Sequence, residues 1–185
     1  MQELMTLFLR FLRKENIMKV AILGYSGSGK STLAKYISEK QQIPCLHLDT
    51  VQFMENWQIR SDEDAKAVVK EYLKQKNWVI DGNYTRYYQA ERLADANQII
   101  LLLFPRRQAL FRVVKRYFTY RGKTRPDMAA GCEEKIDWAF FWWVLYQGRT
   151  KPIRQHYQEI QEKYPKKTII VRNQKSLEKL YRTFG

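Results

Sequence analysis

Residues 24–31 read Gly-Tyr-Ser-Gly-Ser-Gly-Lys-Ser. The stretch fits G-x-x-x-x-G-K-[ST], the pattern of a loop that wraps nucleotide phosphates. Gly24, Gly27 and Gly29 open backbone conformations closed to most residues, so the chain can curl around an anion. Tyr25, Ser26 and Ser28 complete the curl, whose N–H groups form a nest for phosphate oxygens. The helix that follows, opening through Thr32, adds its positive N-terminal end. Lys30 brings a full charge to the terminal phosphates, and the Ser31 hydroxyl suits Mg²⁺, a hard cation.

The flanks give the motif its context. Lys19-Val20-Ala21-Ile22-Leu23 is an apolar run fit for a buried strand. Thr32 to Lys40 continues as a helix, with Leu33, Tyr36 and Ile37 on one face. Strand, loop and helix stand in the order the motif requires.

A chain of 185 residues, 45% hydrophobic, can bury the core of one α/β domain. Its net charge of +14 calls for anionic partners, whether nucleotides, nucleic acid or an acidic membrane surface. Cys45 and Cys132 stand far apart and form neither a disulfide framework nor a zinc spacing, which fits a reducing cytoplasm. No basic region precedes the first apolar residues and no small-residue cleavage site follows, so a cleaved secretion signal is not expected.

Before the first strand, Leu4, Leu7, Phe8, Phe11 and Leu12 recur at helical spacing and predict an amphipathic extension over residues 1–16. It is open whether that helix meets a membrane, a partner or the domain itself, or precedes a natural start at Met18. Residues 17–185 read as one domain. Strands are expected at Pro44–Leu48 ending in Asp49, at Trp78–Ile80 ending in Asp81-Gly82, at Ile99–Phe104 and at Lys167–Val171. Helices are expected from Ser61 to about Lys76, Arg106 to about Tyr120, Glu133 to about Gln147 and Pro152 to about Tyr164. A last one is capped by Ser176. Apolar strands alternating with helices imply a five-stranded parallel sheet covered on both faces, with a helical, lid-like insertion at about 106–150. Ligands of such sheets bind beyond the strand C-terminal ends, where Gly24, Asp49 and Asp81 should converge.

Asp81 ends an apolar strand, the place of a carboxylate that holds Mg²⁺ through water or orients a nucleophile. Asp49 ends another, suited to accept a proton from a substrate hydroxyl, to hold metal water or merely to cap a turn. The segment Arg106 to Arg125 holds eight basic residues and no acid. Arg112 and Arg116 share a helix face there and are placed to clamp transferring phosphates. The same run, with Tyr117, Phe118 and Tyr120 interleaved, also fits a nucleic-acid patch or a solvated basic face. The aromatic run Trp138–Tyr146 is too short to cross a bilayer, and most of it is expected in the core. No transmembrane segment is expected. His47 reads as a strand residue, His156 as a surface residue and Cys132 as structural.

These stretches together resemble a known family. The carrying residues are Ala21–Ala34, Leu46-His47-Leu48-Asp49, Trp78–Tyr84, Leu103-Phe104-Pro105-Arg106, Arg125-Pro126-Asp127-Met128 and Gly131-Cys132-Glu133-Glu134-Lys135. They look like the bacterial DNA topology modulation proteins, often called FlaR-like, which are similar to adenylate kinase and its nucleoside-monophosphate kinase relatives. The resemblance runs from Met18 nearly to the end and implies ATP and Mg²⁺ as ligands. It likens Asp81-Gly82 to the Asp-Gly ending the third strand of adenylate kinases. It makes Arg86 the candidate for substrate phosphate, one residue further on than in that pattern. It matches Arg112 and Arg116 to the R-x-x-x-R that opens the kinase lid and touches ATP, and offers Arg121 and Arg125 as lid arginines. It places Arg172-Asn173 at the adenine-contacting loop and Arg60 at a second-substrate site.

The expectation is an ATP- and Mg²⁺-dependent kinase acting on a nucleotide or small-molecule acceptor. An ATP-binding, DNA-associated protein is the alternative, with DNA as a possible partner, although no helix-turn-helix or other DNA-reading module is visible. A guanine-specific switch ranks last, since no N-K-x-D tetrad is present.

Overall fold

A computed structural model describes residues 17–122, 124, 128–129, 131–132 and 138–185. The extension 1–16, Arg125 and the first turn of the helix expected from Glu133 lie outside them.

The chain runs β1 (Lys19–Gly24), α1 (Lys30–Gln41), β2 (Cys45–His47), α2 (Leu48–Gln52), α3 (Asp62–Leu73), β3 (Trp78–Asp81), α4 (Gln89–Asp95), β4 (Gln98–Leu102), α5 (Arg106–Tyr120), α6 (Trp138–Leu145), α7 (Lys151–Lys163), β5 (Thr168–Val171) and α8 (Gln174–Phe184). One-turn 3-10 helices lie at Glu55–Trp57 and Gln147–Arg149. All five strands are parallel, in the order β2-β3-β1-β4-β5. This is the expected P-loop α/β fold.

Strand β1 shows why the sheet is covered twice. Val20 and Ile22 enter one apolar cluster with Leu33 and Ile37 of α1 and Leu177 and Leu180 of α8. Ala21 and Leu23 enter the other, with Val69 of α3 and Tyr157 and Ile160 of α7. Neither face meets water, so the strand reads as a continuous apolar run. The sheet order reverses direction at β1, so the crevice at its C-terminal end is where the loop emerges.

Four expectations need correction. Asp49 does not end a strand: β2 stops at His47, and Asp49 lies in the short helix α2. Helix α4 was not expected, because only Gln89, Arg92 and Leu93 of its seven residues are buried, too few for a periodic signal. Helix α8 is capped by Asn173, whose side chain accepts from the Ser176 N–H, so Ser176 is a first-turn donor rather than the cap. The aromatic run is mostly not core. Only Val144 of α6 is buried, while Trp138 is 75% exposed and Trp142, Trp143 and Tyr146 are close to half exposed. Eight apolar residues in succession cover every face of a helix, and among the described residues the buried apolar contact of α6 is that of Val144 and Phe140 with Ala109 and Val113 of α5. Among the described residues, no helix is long and apolar enough to cross a membrane.

Candidate active site

The loop between β1 and α1 is fixed by contacts on several sides. Gly24 lies so close to β4 that a Cβ would strike the Leu102 carbonyl. The Asn83 carboxamide clamps the same residue: its Oδ1 accepts from the Gly24 N–H at 3.0 Å, and its Nδ2 donates to the Gly24 carbonyl at 2.8 Å. Lys30 Nζ turns back over the loop and donates to the carbonyls of Gly24 and Tyr25, each at 3.2 Å. Ser28 is fully buried, and its Oγ has no hydrogen-bond partner among the described residues. Thr32 is exposed on the first turn of α1.

At the start of α1, Ser31 Oγ donates to Asp81 Oδ2 at 2.9 Å. The structure therefore brings together the hydroxyl and carboxylate that the sequence assigned to one metal. The register explains the meeting: β1 and β3 are adjacent, with Ile22 beside Asp81. A hydroxyl, a carboxylate and phosphate oxygens make an oxygen set of the kind Mg²⁺ takes when water and phosphates supply the other positions. These residues fit that ion.

Asp81 has a second partner. His47, its neighbour across β2 and β3, places Nδ1 2.5 Å from Asp81 Oδ1. Burial would lower the His47 pKa, but hydrogen bonds to Asp81 and Cys45 outweigh it and raise the value to about 10. His47 is thus a charged partner of Asp81 at neutral pH, and more than the strand residue its sequence context suggested. Asp49 takes no part in this cluster. Its Oδ1 accepts from the Tyr84 hydroxyl at 2.8 Å, and burial and that carboxylate both push the Tyr84 pKa up.

The arginines separate into groups. Arg112 reaches the loop: Nη1 donates to the Ser28 carbonyl at 2.7 Å, Nη2 to Gln174 Oε1 at 2.6 Å, and the guanidinium lies 4.0 Å from the Phe104 ring centroid. Burial lowers its pKa. Arg116, one turn on, lies over the Phe140 ring, and Arg121 over Tyr117. Arg172 is exposed just past β5, two residues before the Gln174 that Arg112 contacts. Arg86 is engaged by Gln52, by the Tyr87 hydroxyl at 3.2 Å and by Asp62 at 3.4 Å. Arg60 donates from Nε to the Val51 carbonyl at 2.9 Å. Among the described residues, the hydrogen bonds and ion pairs of Arg60 and Arg86 go to residues outside the loop.

Two buried arginines escaped the sequence reading. Arg149 donates to the carbonyls of Phe104 at 2.7 Å and Val144 at 3.0 Å, and its guanidinium lies 4.0 Å over the Tyr25 ring of the loop. Its Nη2 is buried without a hydrogen-bond partner among the described residues, and desolvation lowers its pKa. Arg92 is fully buried and donates to the carbonyls of Tyr87, Tyr84 and Gly82. It thereby shapes the loop after β3 that carries Asn83. A run of aromatics next to Gln147-Gly148-Arg149, and a lone arginine in α4, gave no sequence pattern that points to either role.

No family model matches the chain. The chain is 30% identical over 121 residues to adenylate kinase from two strains of Clostridium kluyveri, a match covering 51% of this chain and 56% of each relative. It spans about half the length of those relatives. Two shikimate kinase structures are similar in shape. The one from Bacteroides thetaiotaomicron has TM-score 0.47 and 18% identity, covering 90% of this chain and 95% of that one. The one from Acinetobacter baumannii, solved with shikimate, has TM-score 0.49 and 17% identity, covering 94% and 93%.

Proposed function

We propose that the protein is an ATP-dependent phosphotransferase that uses Mg²⁺ and delivers the terminal phosphoryl group to a small-molecule acceptor. The observation that carries this reading is the hydrogen bond between Ser31 and Asp81, which joins the loop-helix junction to the end of the neighbouring strand. A loop that only wrapped an anion would not need that carboxylate. The partial likeness to adenylate kinase supports the same class.

The residues divide the work as follows. The loop N–H groups and the start of α1 hold the phosphates. Lys30 moves from the Gly24 and Tyr25 carbonyls to the terminal phosphates, and Arg112 adds charge from the α5 side. Ser31 and Asp81 are the residues that would hold Mg²⁺, which supplies charge neutralisation of the triphosphate. Phosphoryl transfer needs positioning and charge more than covalent help, so this set is sufficient in kind. Arg172 borders the same side through Gln174 and is assigned to the nucleotide. Asp49, Arg60, Arg86 and Arg121 are engaged by Tyr84, Val51, Asp62 and Tyr117, and we assign them no part in the transfer step.

ADP release from Mg·ATP across a panel of alcohols, sugars, nucleosides and nucleotides tests the reading. One or more acceptors should raise the rate, and Lys30→Ala should abolish the increase. A panel in which no member raises ADP release above the acceptor-free rate counts against it.

A further inference from the structure

A cleft of about 330 Å³ opens beside the loop at Tyr25 and Ser26. Lys30 Nζ rests against the Tyr25 carbonyl, so this is the end of the loop where the lysine meets the terminal phosphates. Asn83, Thr85, Gln89, Trp143, His156 and Tyr157 are among its lining. None of the described residues lining the cleft is Lys, Arg, Asp or Glu. The cation expected for a substrate phosphate, Arg86, is held instead by Gln52, Tyr87 and Asp62. Arg149 lies against the Tyr25 ring but is not part of the lining. A phosphate monoester in this cleft would shed part of its water with no charged side chain among the described lining residues to replace it, which is costly. A planar ring suits it better. Trp143 lies close against Gly148, where a Cβ would stand 3.1 Å from its indole nitrogen, and Tyr157 packs edge-on to Tyr25.

The polar groups of the cleft form an ordered chain. Gln89 Nε2 donates to the Asn83 carbonyl at 3.1 Å. That bond fixes the amide and turns Oε1 toward His156, whose Nε2 lies 2.7 Å away. An acceptor at that distance assigns the proton to Nε2 in the neutral ring and leaves a lone pair on Nδ1. No hydrogen bond occupies Nδ1 among the described residues.

We infer that this cleft holds the acceptor, that the acceptor is an uncharged, ring-bearing alcohol rather than a phosphate monoester, and that His156 receives its hydroxyl proton. The inference rests on the phosphotransferase reading above. In the step, a bond forms between the acceptor oxygen and the terminal phosphorus. The bond from that phosphorus to the bridging oxygen breaks, and its electron pair leaves with ADP. The hydroxyl proton goes to His156 Nδ1.

The test uses the full chain with Mg·ATP. The probes are adenosine, guanosine, cytidine, thymidine and 2-phenylethanol, against the matching nucleoside 5′-monophosphates. ADP release reports transfer, and saturation-transfer NMR with Mg·ADP present reports binding. At least one uncharged probe should bind and react ten or more times better than any monophosphate. Thr85→Arg places a guanidinium in the cleft without removing a side-chain hydrogen bond, and should shift the preference toward monophosphates by tenfold or more. His156→Gln should lower kcat tenfold or more with KM within threefold of the parent, provided its melting curve is unchanged. A wild-type preference for monophosphates overturns the inference and leaves the phosphotransferase reading standing. Binding of uncharged rings without transfer to any probe upholds the ligand class and counts against the phosphotransferase. Failure of every uncharged probe both to bind and to react overturns the inference.

Discussion

Replacing Gly27 by alanine tests how closely the phosphate loop is seated on α5. Gly27 has φ +72°, a left-handed backbone, and an added Cβ would stand 2.6 Å from Val113 Cγ2 and 2.7 Å from the Ala109 carbonyl. Neither neighbour yields easily. Val113 is 1% exposed and packed, and the Ala109 oxygen belongs to the helix backbone. The backbone conformation costs a non-glycine residue about 1–2 kcal/mol. Overfilling a packed site adds about 1–3 kcal/mol. The expected loss is therefore about 2–5 kcal/mol, a large share of the roughly 5–15 kcal/mol that holds a typical domain folded. Gly122 supplies the control. Its φ is +67°, and a Cβ there meets no described residue within 4 Å, so Gly122→Ala should carry the backbone part alone. Urea unfolding of both variants and the parent, with unchanged slopes, gives the two losses. Gly27→Ala should lose at least about 1 kcal/mol more than Gly122→Ala. Equal losses would refute the close seating of the loop on α5, and with it the route by which Arg112 is aimed at Ser28.

Other perturbations reach different parts of the site. Arg92→Met leaves the carbonyls of Tyr84 and Tyr87 without their donor, so urea unfolding should show a loss of at least about 2 kcal/mol. A loss under about 1 kcal/mol would remove Arg92 as the anchor of the loop after β3. His47 binds its proton more tightly folded than unfolded, since its pKa rises from 6.5 to about 10. Its contribution is thus complete below pH 6.5 and is lost as pH climbs through about 10. In metal-free buffer the parent should lose more stability between pH 7 and pH 10 than His47→Gln does, and parallel losses would contradict the pairing. Lys30→Ala should lower ATP turnover by at least about 100-fold with the melting temperature little changed, as expected when one preorganised cationic donor is removed. Retained turnover would take Lys30 out of the chemistry.

Much of the architecture was legible because β1, β3 and β4 are buried on both faces. They therefore stand out as apolar runs, and α5 begins at Arg106, just past the Pro105 that stops the preceding strand segment. The loop was legible because glycine, lysine and serine sit at fixed spacing in it. What stayed hidden depends on contacts between residues far apart in the chain. His156 meets Gln89 across 67 positions, and Arg149 meets Phe104 across 45. No local period marks such a pair. The aromatic run was misread for a different reason. Hydropathy records how apolar a helix is, but among the described residues α6 has too few neighbours to bury all its rings. Asp49 was misplaced by a boundary, since β2 ends two residues before it and α2 begins at once.

The fate of the terminal phosphoryl group is the most direct measure of the proposed activity. ³¹P NMR of Mg·ATP with the full chain and a mixture of small alcohols, nucleosides and nucleotides follows that group without choosing an acceptor beforehand. A phosphotransferase produces ADP and a new phosphoester resonance in equal amounts, and Lys30→Ala produces neither. ATP that stays intact, or that yields only ADP and inorganic phosphate, would contradict it.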